Sequence, residues 1–138
     1  MNATSEERVA PVKPERLHQA LGIYQSALVE EGEVAGADAA PTELASRRAI
    51  LAVKREFPDA VEFQSLSVRL AHFTEVLADK KLAKWGMVTH SEGGLEIHDA
   101  VVNALAAAPF RKSGVLDKVA FHALVKAEYT RLESEEKK

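Results

Sequence analysis

The chain contains no cysteine, which removes disulfide scaffolds, thiol nucleophiles, iron–sulfur clusters and thiolate zinc sites together. Aromatic residues are scarce, at 6% of 138 positions, so an extended base-stacking platform is not expected and the lone Trp85 is read as core. No apolar run approaches the roughly 20 residues that cross a bilayer. The opening segment carries acids and no apolar centre, so it does not read as a signal peptide, and a cytoplasmic protein is expected. Phosphate-cradling glycine loops, the Gly-x-Ser-x-Gly elbow and the His-Glu-x-x-His zinc helix are missing too. These absences leave no anchor for catalysis, and a non-enzymatic protein without metal or cofactor is expected.

What is present is ordinary globular material: 46% hydrophobic and 28% charged residues with a formal charge of −3, enough for one core. Residues 1–13 are polar and aperiodic and read as a disordered N-terminal segment, residues 14–133 as a single compact domain, and 134–138 as a frayed tail. A stretch rich in Ala, Gly and acids from 32 to 41 reads as a second mobile segment. Pro14 suits a first helical position, and Leu17, Leu21, Tyr24 and Leu28 share one face, so a first helix is predicted up to Gly32. Pro41 or Thr42 opens a second helix that runs to Phe57, with Leu44, Ile50, Leu51, Val53 and Phe57 assigned to burial, and Pro58 ends it.

Asp59 followed by Glu62 looks like a capping box and starts a third helix. Phe63, Leu66, Leu70, Phe73 and Leu77 then recur at steps of three and four, the clearest periodic signal in the chain. The run continues through Lys80 and Lys81 to Leu82 and Trp85, either as one rod or as two helices broken between His72 and Thr74. After Gly86 the period changes to two on both sides of Gly93-Gly94, which predicts a short hairpin. Asp99 is assigned as the cap of a further helix to about Ala108. A last helix is predicted from about Val115 to Glu133, with Phe121, Leu124, Val125, Tyr129 and Leu132 on one face. The expected fold is therefore mainly α: about five helices with one two-stranded β-hairpin.

The segment Lys80-Lys81-Leu82-Ala83-Lys84-Trp85-Gly86-Met87-Val88 resembles the end of a winged-helix recognition helix, where an inward Leu precedes a Gly that turns the chain into an apolar strand. Ser91 to Gly94 would then be the wing tip, and Leu95-Glu96-Ile97-His98-Asp99-Ala100-Val101-Val102 looks like the strand and helix that follow in MarR-type regulators. The likeness covers about residues 74–105. It implies a DNA-binding transcriptional regulator, dimeric through its first and last helices, with Lys80, Lys81 and Lys84 on the phosphates of duplex DNA and Arg69 as a further contact. The sequence departs from the family in lacking the small-residue turn between the paired helices and the Asp-x-Arg of the wing, while Glu92 and Glu96 would repel phosphate.

Charge is uneven: residues 1–46 carry −5, residues 47–84 carry +3 and residues 85–138 carry −1. The central excess supplies Arg47, Arg48, Lys54, Arg55, Arg69, Lys80, Lys81 and Lys84, a basic face if their helices align them and solvated helix surfaces otherwise. His90 and His98 fall on facing strands without a third ligand, and Glu15 to His18 gives one Glu-x-x-His step where a di-metal bundle needs two, so no metal is expected. His72 and His122 adjoin apolar positions and read as boundary residues. The alternative to a DNA-binding protein is a small helical interaction or assembly protein that self-associates through apolar helix faces. An apolar ligand cleft between helices with the hairpin as a flap is a third option.

Overall fold

The computed structural model describes residues 9–32, 41–91, 94–111 and 114–136. The chain is mainly α with one two-stranded antiparallel hairpin. Its elements are α1 (Pro14–Glu30), α2 (Glu43–Glu56), α3 (Ala60–Ala71), α4 (Phe73–Leu77), α5 (Lys80–Lys84), β1 (Val88–Ser91), β2 (Gly94–Ile97), α6 (Asp99–Ala107) and α7 (Lys118–Glu136). Among the described residues there are seven helices where about five were expected, because the long third run is divided. It breaks at His72 and again before Asp79, whose side chain accepts from the Lys81 and Leu82 amides and so starts α5 afresh.

The break leaves the apolar stripe in phase. His72 keeps near-helical torsions, so Leu66, Leu70, Phe73 and Leu77 are all buried across it and Phe63 is half-buried. Around this stripe α1 contributes Leu17, Leu21, Tyr24 and Leu28, α6 contributes Val101 and Leu105, and α7 contributes Phe121 and Val125, in one continuous core. The second helix packs differently from expectation. Ala45, Ala49 and Val53 are buried, whereas Leu44 and Leu51 are 58% and 53% exposed. Small side chains let α2 approach α1 closely, and its larger leucines turn outward.

Three further expectations change. The segment read as disordered up to residue 13 is held from Val9 onward, since the Val9 amide donates to the Phe110 carbonyl at 3.0 Å, the Val12 amide donates to that of Ala106 at 3.0 Å, and Val9 is buried. The α6 cap is His98, whose Nδ1 accepts from the Ala100 amide at 3.0 Å, while Asp99 is the first helical residue. Finally, α7 begins at Lys118, after Asp117 accepts from the Ala120 amide, and not at Val115. The stretch expected to be mobile between α1 and α2 lies mostly at 33–40, outside the described residues, as do 1–8, the wing-tip residues 92–93 and the last two of the tail. Within the tail, α7 continues to Glu136.

In the hairpin Val88 pairs with Ile97, Thr89 with Glu96 and His90 with Leu95. His98 therefore lies beyond the ladder, with its amide bonded to the Met87 carbonyl, and is not the cross-strand neighbour of His90. None of the helices among the described residues is long and apolar enough to cross a membrane.

Candidate nucleic-acid interface

The four residues expected to meet phosphate fall into two very different settings. Arg69 is 0% exposed. Its guanidinium donates to the Leu105 carbonyl at 2.7 Å, the Ser65 carbonyl at 2.8 Å and the Ala108 carbonyl at 2.9 Å, and it lies 5.0 Å from the centre of the Phe110 ring. Burial lowers its pKa to about 10. Leu105 and Ala108 are at the C-terminal end of α6, where unpaired carbonyls and the negative end of the helix dipole accumulate. Arg69 is thus an internal clamp that ends α6, and it is not available to a phosphate. The winged-helix resemblance and the local charge made it a phosphate contact, but the C-terminal end of α6 takes up its guanidinium instead.

Lys80, Lys81 and Lys84 are different: all three side chains are exposed on α5. None of them has an ion-pair partner among the described residues. Most of the arginines, by contrast, are engaged. Arg16 holds Glu62 in a two-pronged pair at 2.7 and 2.8 Å, Arg47 holds Glu43, Arg48 holds Glu31, and Arg131 holds both Glu128 and Glu135. Unneutralised positive charge therefore gathers on α5 while the arginine charge is largely answered.

The placement of α5 has a clear cause. Asp79 caps it with Oδ1, and its Oδ2 accepts from His122 Nε2 of α7 at 2.8 Å, both side chains being 15% exposed. Burial pushes the Asp79 carboxyl up, but the His122 bond, the Leu82 and Lys81 amides and the charge of His122 together bring it below its ordinary value. Leu82 is fully buried beneath the helix, and Gly86, at φ 75°, turns the chain from α5 into β1. The His122 ring meets Trp85 edge-on at 5.7 Å, and the Lys126 ammonium lies 4.7 Å from the centre of the same indole. Trp85 is half-buried and packs against the core from its margin. The Asp79–His122 hydrogen bond joins the start of α5 to α7 and so acts as a clip between them.

Lys126 is the member of this cluster that sequence reasoning did not single out. Its only signal was a position four residues after His122, on the same helix face, which means nothing until α7 is laid against α5. Asp79 was legible in principle, as a cap-type residue directly before Lys-Lys-Leu. Among the described residues, no group of three or more His, Asp and Glu is placed to hold a metal ion. The chain matches no family model, no curated protein and no solved structure.

Proposed function

We propose that the chain is a non-enzymatic DNA-binding protein, regulatory in role, that meets the phosphates of duplex DNA with Lys80, Lys81 and Lys84 and adds Lys126 from α7. The observation that carries this reading is the gathering of exposed lysines, without carboxylate partners among the described residues, on one short helix joined to α7 by the Asp79–His122 hydrogen bond. A helix of five residues is only about 7.5 Å long, too short to lay a series of side chains along a major groove. The expected contact is therefore with the backbone, largely independent of base sequence. The hairpin adds little attraction, since Glu96 is exposed on β2.

Four phosphate contacts release counterions, so the logarithm of affinity should fall with the logarithm of salt concentration with a slope of about −3.6. Fluorescence anisotropy on a random duplex between 50 and 200 mM salt measures it. Replacing Lys80, Lys81 and Lys84 by Ala should remove about 2.7 from the slope's magnitude. Undetectable binding at low salt, or an unchanged slope in the triple variant, would end the proposal.

A second reading, self-association, is favoured by one observation: Leu44 and Leu51 stand exposed seven residues apart on α2. The faces of α1 and α7 expected to meet a second copy are largely used within the chain's own core, through Leu17, Tyr24, Leu28, Phe121 and Val125. Light scattering across a concentration series tests this, with a mass that rises for the parent chain and stays monomeric for a Leu44→Glu, Leu51→Glu variant. A strict monomer at all concentrations would refute it.

A further inference from the structure

On the other side of Trp85 from the lysine-bearing helix in sequence, the hairpin root and the last turns of α7 enclose a cleft of about 620 Å3. Its apolar lining is Trp85, Met87, Tyr129 and Leu132. Its charged lining is Asp99, Glu133, Glu135 and Glu136, and among the described residues no lysine or arginine lines it. His98, which also lines it, adds no positive charge while its Nδ1 accepts from the Ala100 amide, because an imidazolium has no lone pair to accept with. Of the carboxylates, Glu135 is answered by Arg131 and Glu133 accepts from the Tyr129 hydroxyl at 2.7 Å. Asp99 and Glu136 make no such contact among the described residues.

We propose that this cleft binds a linear aliphatic polyamine. Two features favour that class over other cations. The carboxylates come from two elements, Asp99 on α6 and the glutamates on α7, and among the described residues no group of three or more is placed to converge on one metal ion, which suits a ligand whose charge is spread as well. Between them lie an indole, a phenol, a thioether and a leucine, surfaces that suit the methylene spacers of an alkylamine and repay nothing to a hydrated inorganic ion. The chain itself supplies an example of this chemistry on the same ring: the alkylammonium of Lys126 already sits over Trp85 from the neighbouring cleft. A polyamine lies along the apolar floor with its ammonium groups at Asp99, Glu133 and Glu136.

The test uses spermidine on the full chain, without DNA, by isothermal calorimetry at low salt. The expected result is one saturable site whose midpoint also appears in the fluorescence of Trp85, the single tryptophan. An Asp99→Asn, Glu136→Gln variant, altered at exposed positions, should keep its circular dichroism and lose at least tenfold in affinity. Magnesium chloride at the same ionic strength should give neither the heat nor the fluorescence change. Absence of binding at millimolar spermidine, an equal response to magnesium, a silent Trp85 or an unaffected double variant would each overturn the proposal. The site shares no carboxylate with the lysine surface, so its failure leaves the DNA proposal standing, and the reverse holds too.

Discussion

Replacing Arg69 by Met keeps most of the buried length of the side chain and removes all of its donors, which isolates the clamp at the end of α6. The three carbonyls are not equally dependent on it. Ser65 is four residues before Arg69 in α3 and retains a helical acceptor role, and the Leu105 carbonyl still accepts from the Ala108 amide at 3.2 Å. The Ala108 carbonyl has the guanidinium as its hydrogen-bond partner at 2.9 Å. One stranded carbonyl costs about 1–3 kcal/mol, and two weakened ones about 0.5–1.5 kcal/mol each. Against this stands the relief of no longer burying a cation, so a net loss of about 3 kcal/mol is expected, or roughly 10 °C in Tm for a chain of this length. Arg69→Lys should lose about 2 kcal/mol, because one ammonium lacks the planar fork that reaches acceptors in two helices. Urea denaturation at pH 7 measures both. A Met variant within about 0.5 kcal/mol of the parent, a surface-like effect, would refute the clamp. The DNA affinity of the folded variant should be unchanged, and a reduced salt slope would show that the guanidinium reaches phosphate after all.

The other predictions concern single joints of the fold. Because Asp79 titrates below its ordinary value in the folded chain, its pair stabilises above about pH 4 and is lost as pH falls through the folded value. The stability gap to Asp79→Asn should be about 1 kcal/mol at pH 7 and close by pH 2, and a gap that widens in acid would contradict the clip. At Gly86 an added Cβ meets nothing within 4 Å, so Gly86→Ala should cost only the strain of positive φ, about 1–2 kcal/mol, with Gly86→Asn milder; a neutral Ala variant in thermal melts would refute this. Val9→Ala should cost about 1–2 kcal/mol, measurable by chemical denaturation, whereas no effect would mean that the N-terminal segment is not docked.

Much of the architecture was legible because its signals were local. Pro14, Thr42, Asp59 and Gly86 mark starts and turns through their own backbone chemistry, and the stripe of Phe63, Leu66, Leu70, Phe73 and Leu77 is visible at helical spacing. The break at His72 was less visible because no Gly or Pro accompanies it and the stripe keeps its phase across it. On α2 two apolar faces competed, one of leucines and one of alanines, and only proximity to α1 decides for the smaller residues. The candidate site was legible only in part. Lys80, Lys81 and Lys84 are close in sequence, but tertiary packing brings Lys126 onto Trp85 at the end of their helix and takes Arg69 into the interior. His98 displaced Asp99 as a cap because an imidazole nitrogen can accept as well as a carboxylate can.

The strap formed by Val9 and Val12 joins positions roughly 100 residues apart, so its closure entropy is met only once the rest of the chain is ordered. A contact of that separation belongs to the late side of the folding barrier, where it governs how fast the native state comes apart more than how fast it forms. The first contacts to let go under heat or force should therefore be those of the Val9–Val12 strap, and pinning it would lengthen the lifetime of the folded chain without hastening its assembly.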